Sequence, residues 1–96
     1  MGVGNYTPFM CACINPNVKV LEHMIDMDID FNQKDVKGRK PVHYAACSSS
    51  ADNILLLVKQ GVDTRDIDLS KKTPLMYACE AGRDEVVTVL LGPNRS

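Results

Sequence analysis

Apolar positions along the chain come in three similar blocks separated by polar stretches, and each block holds two stripes. The first stripes are Pro8-Phe9-Met10-Cys11-Ala12-Cys13, Pro41-Val42-His43-Tyr44-Ala45-Ala46 and Pro74-Leu75-Met76-Tyr77-Ala78-Cys79. Pro8, Pro41 and Pro74 are evenly spaced, and Ala12, Ala45 and Ala78 keep the same interval, so two residue types share one period. A fixed period of this length marks a repeat array. Proline sacrifices no hydrogen bond in the first turn of a helix, and its fixed φ suits the start. Thr7 and Thr73 precede two of the prolines and can cap free amides. The pattern predicts a helix from each proline, with the alanine column and the small column after it (Cys13, Ala46, Cys79) short enough to admit a close neighbour.

The second stripes are Val20, Leu21, Met24 and Ile25, then Ile54, Leu57 and Val58, then Val86, Val87, Leu90 and Leu91. Steps of one, three and four residues trace one helix face. Asp28, Gly61 and Asn94 follow in one column, and all three residue types tolerate the left-handed conformation of a helix C-cap. The linkers 29–39 and 62–72 are polar with interspersed apolar residues, and Lys37-Gly38 suits an extended, hairpin-like connection with a turn. One unit is therefore helix, turn, helix, extended loop.

Thr73-Pro74-Leu75-Met76-Tyr77-Ala78-Cys79-Glu80-Ala81-Gly82, followed by Asp84-Glu85-Val86-Val87 and Leu90-Leu91, resembles the ankyrin repeat, whose signature is Thr-Pro-Leu-His on a 33-residue period. Asp35, Gly38, Pro41, His43, Ala45, Gly61 and Asp63 match it in the middle unit, and Asp30 and Asn32 match the end of the first. The resemblance implies an all-α ankyrin-repeat solenoid of stacked helix-turn-helix units joined by extended hairpin loops. It implies a single domain over 1–96, with units at about 5–34, 35–67 and 68–96, the last incomplete at its end. Pro16 and Ser49 replace the glycine that the family places between the two helices, and Asn53 occupies the column of Val20 and Val86. These departures predict a soft inter-helix turn in the middle unit, with a weakened or shifted second helix.

The resemblance also implies a function: a non-catalytic scaffold for protein–protein interaction, holding a partner by its loop tips and by the exposed, concave side of the first helices. Carried onto this sequence column by column, that surface comprises Tyr6, Ile14 and Asn15 in the first unit. Val36, Lys37, Arg39, Cys47 and Ser48 belong to the second, and Leu69, Ser70, Lys72, Glu80 and Ala81 to the third. Tyr6, Ile14, Val36 and Leu69 are apolar or aromatic where the fold would accept polar groups, as an interface core inside a charged rim would be. The alternative is a structural spacer or self-association segment of a larger multi-repeat protein. Stacked repeats need a polar outer face at each end. Neither terminal unit shows one, which predicts a piece of a longer array or self-association through uncapped end repeats.

Charge narrows the partner. A net charge of −1 excludes the global attraction that nucleic-acid binding by counterion release requires. Lys37, Arg39, Lys40, Lys71 and Lys72 nevertheless share one edge at the loop tips, with Asp35, Asp66 and Asp68 near enough to offset part of that charge. The edge would steer a protein with an acidic patch. The longest uncharged apolar run, Ile54 to Val58, falls far short of the roughly 20 residues that insert into a membrane.

Catalytic and metal chemistry find little support. His43 stands in the signature histidine column, where the resemblance implies a structural hydrogen bond across the turn. Cys11 shares the column of Tyr44 and Tyr77 and reads as core packing, while Cys47, in a solvent-leaning column, is the candidate reactive thiol of a redox- or metal-responsive alternative. No base or cation is placed by sequence to activate it. A zinc site would draw ligands from three separate units. The acidic run Asp26, Asp28, Asp30 lacks the glycine and the glutamate of a calcium loop, with Phe31 and Lys37 in their places. No cofactor is expected. The four cysteines have no secretory signal before them and no paired spacing, so reduced thiols in the cytoplasm or nucleus are expected.

Overall fold

The computed structural model of the chain describes residues 6–27 and 29–92. Among them lie six helices in three pairs: α1 (Pro8–Ile14) with α2 (Val18–Ile25), α3 (Pro41–Ala46) with α4 (Ala51–Lys59), and α5 (Pro74–Ala81) with α6 (Asp84–Leu91). Proline occupies the first turn of α1, α3 and α5. Thr7 Oγ1 accepts the Met10 N–H at 3.1 Å, and Thr73 Oγ1 accepts that of Met76 at 3.3 Å. Lys40 makes no such side-chain cap, and its own backbone N–H donates to His43 Nδ1 at 3.0 Å.

The helices form two layers. α1, α3 and α5 pack side by side in one, α2, α4 and α6 in the other, and the core lies between them. It is built from Phe9, Cys13, Leu21, Val42, Ala46, Ile54, Leu57 and Val86 together with the alanine column Ala12, Ala45 and Ala78, whose side chains allow the first helices their close approach. Met76 shares the column of the fully buried Met10 and His43 yet is exposed, because among the described residues no further loop lies over it.

The middle unit departs from the sequence expectation. α4 begins at Ala51, in step with Val18 and Asp84, and at nine residues it is longer than α2 or α6, so the second helix is neither shifted nor shortened. Ser50 Oγ caps it by accepting the Asp52 N–H at 3.3 Å. Asn53 is fully buried, and its Nδ2 donates to the carbonyl oxygens of Cys13 at 2.7 Å and Asn15 at 2.6 Å, with Ser48 Oγ at 3.1 Å. The polar residue in an apolar column is thus an anchor onto the preceding unit, which runs against the expected softness of this turn. In the C-cap column Gly61 is left-handed at φ +80°, while Asp28 and Asn94 lie outside the described residues.

The linkers close as hairpin-like turns. The Asp35 N–H donates to Arg39 O at 2.9 Å and that of Asp68 to Lys72 O at 3.1 Å, and the Leu69 N–H donates to Lys37 O at 2.9 Å, joining one tip to the next. Gly38 makes the close approach possible: its φ is +76°, and a Cβ there would lie 2.9 Å from Leu69 Cγ and 3.0 Å from Leu69 N. Lys71, in the equivalent place of the next hairpin, takes the same left-handed conformation at φ +65° with a side chain. Gly38→Ala is expected to cost about 2 kcal/mol or more, from strain plus overpacking, whereas Lys71→Gly should gain up to about 1 kcal/mol. Urea denaturation of both variants checks this, and equal effects of the two would contradict it.

Candidate protein-binding surface

Each hairpin is anchored by a buried aspartate. Asp35 Oδ1 accepts the backbone N–H groups of Lys37 at 2.9 Å and Arg39 at 2.8 Å, while Oδ2 accepts the Tyr44 hydroxyl at 2.5 Å and Arg39 Nε at 2.7 Å. Asp68 repeats the arrangement with Ser70 N at 2.8 Å, Lys72 N at 2.9 Å and the Tyr77 hydroxyl. Burial alone would push both carboxyls up, but the donated hydrogen bonds outweigh it and hold them below the ordinary aspartate range. The same contacts act oppositely on the phenols. Burial and the Asp68 carboxylate push Tyr77 up to about 12, and burial and Asp35 raise Tyr44.

His43 ties two units together. With Nδ1 accepting from Lys40, Nε2 carries the proton and donates to the carbonyls of Asp66 at 3.1 Å and Lys72 at 3.3 Å. Burial lowers its pKa despite those carbonyls and the nearby Asp68 and Asp66. This is the structural hydrogen bonding expected of the column.

Acidification should therefore destabilise the chain in two stages. His43, Asp35 and Asp68 all bind protons more weakly folded than unfolded, so stability present at neutral pH falls as pH drops below the ordinary histidine value of about 6.5, and falls again below about 4. Urea midpoints measured from pH 7 down to 3 should fall as pH drops below about 6.5 and again below about 4, with the His43 resonance titrating below 6.5. A midpoint that rises on acidification would exclude this assignment.

The surface residues expected from sequence fall into distinct groups. Val36 and Leu69 crown successive hairpins at 64% and 76% exposure, adjoining through the Leu69 N–H to Lys37 O bond. Tyr6 sits edge-on to Tyr44, with ring centroids 5.3 Å apart, and the Arg39 guanidinium lies 5.1 Å from the Tyr44 centroid, so Tyr6 and Arg39 flank one ring. Lys72 pairs with Glu80 at 3.0 Å and lies 5.5 Å from the Tyr77 ring centroid. Ser70 and Ala81 are exposed, the latter at the end of α5, and Ile14 is exposed at the end of α1. Asn15 is half-buried, its Oδ1 accepting the Asn17 N–H at 2.8 Å.

Three positions depart from the sequence reading. Ser48 is buried at 1% exposure, its Oγ within hydrogen-bond distance of Asn53 Nδ2 and the Ser50 N–H, so it is part of the inter-unit contact and not of a partner surface. Cys11 is exposed and not in the core. Cys47 is half-buried, and burial raises its thiol despite Arg83 and Arg39 nearby, which makes it a poor nucleophile. Its carbonyl accepts Arg83 Nε at 3.0 Å, a contact with no sequence signal. The aspartate–tyrosine anchors did carry one: Asp35 and Tyr44 recur one period later as Asp68 and Tyr77, whereas the first unit has Cys11 in the tyrosine column.

Of the five cations on the hairpin edge, three are held internally: Arg39 by Asp35 at 2.7 Å, Lys40 by Asp66 at 2.7 Å, and Lys72 by Glu80. Among the described residues Lys37 and Lys71 are in no ion pair, and both are exposed. Nor, among them, do three or more histidine, cysteine, aspartate or glutamate side chains gather as a metal site, and no helix is long and apolar enough to cross a membrane.

Paired helices in two layers, joined by hydrogen-bonded hairpins on one fixed period, define a stacked helical repeat protein. A family profile of ankyrin repeats in three copies matches residues 9–96, and the chain belongs to the ankyrin-repeat family. Such repeats are generally modules of protein–protein interaction. Rabankyrin-5 of Mus musculus is 38% identical over 88 residues, covering 88% of this chain. A putative ankyrin repeat protein of fowlpox virus is 32% identical over 77 residues, covering 80%. The chain spans only 8% and 11% of the lengths of these two relatives. A chain in the solved complex of a predatory endopeptidase with an immunity protein, from Bdellovibrio bacteriovorus, superposes with a TM-score of 0.80 at 19% identity over 92% of this chain and 46% of that one, a likeness of fold.

Proposed function

We propose that this chain is a non-catalytic scaffold segment that holds a partner protein by its hairpin tips and the adjoining exposed residues of its first helices. The observation that carries the reading is the pair of tips. Val36 and Leu69 are the most exposed large apolar side chains among the described residues, they share one column, and Lys37 and Lys71 flank them without an internal counter-ion. Internal ion pairs account for Arg39, Lys40 and Lys72 but not for Lys37 and Lys71, and Val36 and Leu69 stay largely exposed although Leu69 also lies against Gly38. Exposed apolar groups beside uncompensated cations fit a protein that presents apolar side chains within an acidic patch. Part of the same proposal is a reducing compartment, cytoplasm or nucleus, in which the exposed Cys11 and Cys79 stay thiols.

A photo-crosslinking residue placed at Leu69 should capture a discrete protein in cells. The double variant Lys37→Glu, Lys71→Glu should abolish that capture while its thermal unfolding is unchanged, since among the described residues neither lysine is in an ion pair. Capture undiminished by the double variant would refute the tip surface.

A further inference from the structure

The outer face of α4 carries a stripe that is exposed except at Leu56, which is partly buried against the core. Asp52, Leu55, Leu56 and Lys59 follow steps of three, one and three residues, and with Val18 and Glu22 of α2 they line an open groove of about 340 Å³. On its other side Leu55 joins Val58, Thr88 and Val89 around a second groove of about 280 Å³ between α4 and α6. Leu55 is 43% exposed and Val58 42%. The column of Leu55 holds Glu22 and Thr88 in the other units, both exposed, so the fold accepts a polar side chain where this unit has leucine.

The charges on the stripe are ordered. Asp52 stands at its start and Lys59 at its end, seven residues or about 10 Å along the axis, with the midpoint between Leu55 and Leu56. Among the described residues neither is in an ion pair. Reversed end to end with charges exchanged, the stripe reproduces itself. Two copies of α4 packed antiparallel about a two-fold axis at that midpoint would set Asp52 of each opposite Lys59 of the other, with the leucines between them. A self-complementary patch of this kind is what a closed, isologous dimer uses.

We infer that the outer face of α4 is a homodimer contact, in which a second copy of this chain docks antiparallel on the Asp52 to Lys59 stripe. The contact lies on the second-helix layer and leaves the hairpin tips of both copies open. It also differs from stacking of the end repeats, which is head-to-tail and does not close at two copies.

Sedimentation equilibrium in reductant, from micromolar to millimolar chain, tests the inference. A monomer–dimer equilibrium is expected, lost in Leu55→Glu. Asp52→Lys and Lys59→Asp should each weaken it roughly tenfold or more, because each sets like charges against one another. Their combination in one chain should restore it, and so should mixing the two single variants, since every facing pair is then opposite in sign. A monomer throughout, a dimer indifferent to the single reversals, failure of both restorations, or species that grow beyond two copies would overturn the proposal.

Discussion

Asp35→Ala is expected to lower stability by about 3 kcal/mol, the scale of losing one partner from a buried, hydrogen-bonded ion pair. The carboxylate is 2% exposed at its side chain and accepts from two backbone amides, a guanidinium and a phenol. Alanine strands all four donors together and releases the turn that carries Val36 and Lys37. Tyr44→Phe removes one donor while leaving the ring between Tyr6 and Arg39, and should cost about 1 kcal/mol. Denaturant titration of both variants, followed by helical circular dichroism, measures the difference. Equal losses would show that the ring and not the carboxylate network holds the hairpin.

Asn53→Ala should cost about 2 to 3 kcal/mol, combining a buried cavity with two carbonyls that lose their donor. The orientation of the amide follows from its surroundings. Two carbonyl oxygens lie 2.7 and 2.6 Å away, and only Nδ2 can face them favourably. Oδ1 has no hydrogen-bond partner among the described residues, so part of the gain is offset. Asn53→Asp should be worse than Asn53→Ala, because it aims a second acceptor at the same carbonyls. Thermal unfolding of the two variants decides, and an aspartate variant as stable as wild type would rule out the bridge.

Much of the fold was legible because repetition multiplies weak signals. One Thr-Pro says little, but proline and alanine recurring together on one period located α1, α3 and α5 and their packed column. The exposure of Val36 and Leu69 was legible for the same reason, since both occupy the tip of an equivalent turn. Asn53 was misread because a column comparison registers only that asparagine replaces valine. Its meaning lay 38 to 40 residues away, in carbonyls at the end of α1 that bear no side-chain signature. Ser48 was misplaced for a related reason, because Asn53 lies against its hydroxyl.

The sequence by itself determined the period, the starts of the first helix in each unit, the order of elements and the family, all of which depend on local spacing and on residue types that act on their own backbone. Only the tertiary structure decided which polar groups are structural and which are available. Arg39, Lys40 and Lys72 are matched with Asp35, Asp66 and Glu80, while Lys37 and Lys71 have no such match among the described residues. The pairs Lys40–Asp66 and Asn53–Cys13 join residues 26 and 40 positions apart. Local patterning carries no record of such pairings, because they form when one unit packs against the next.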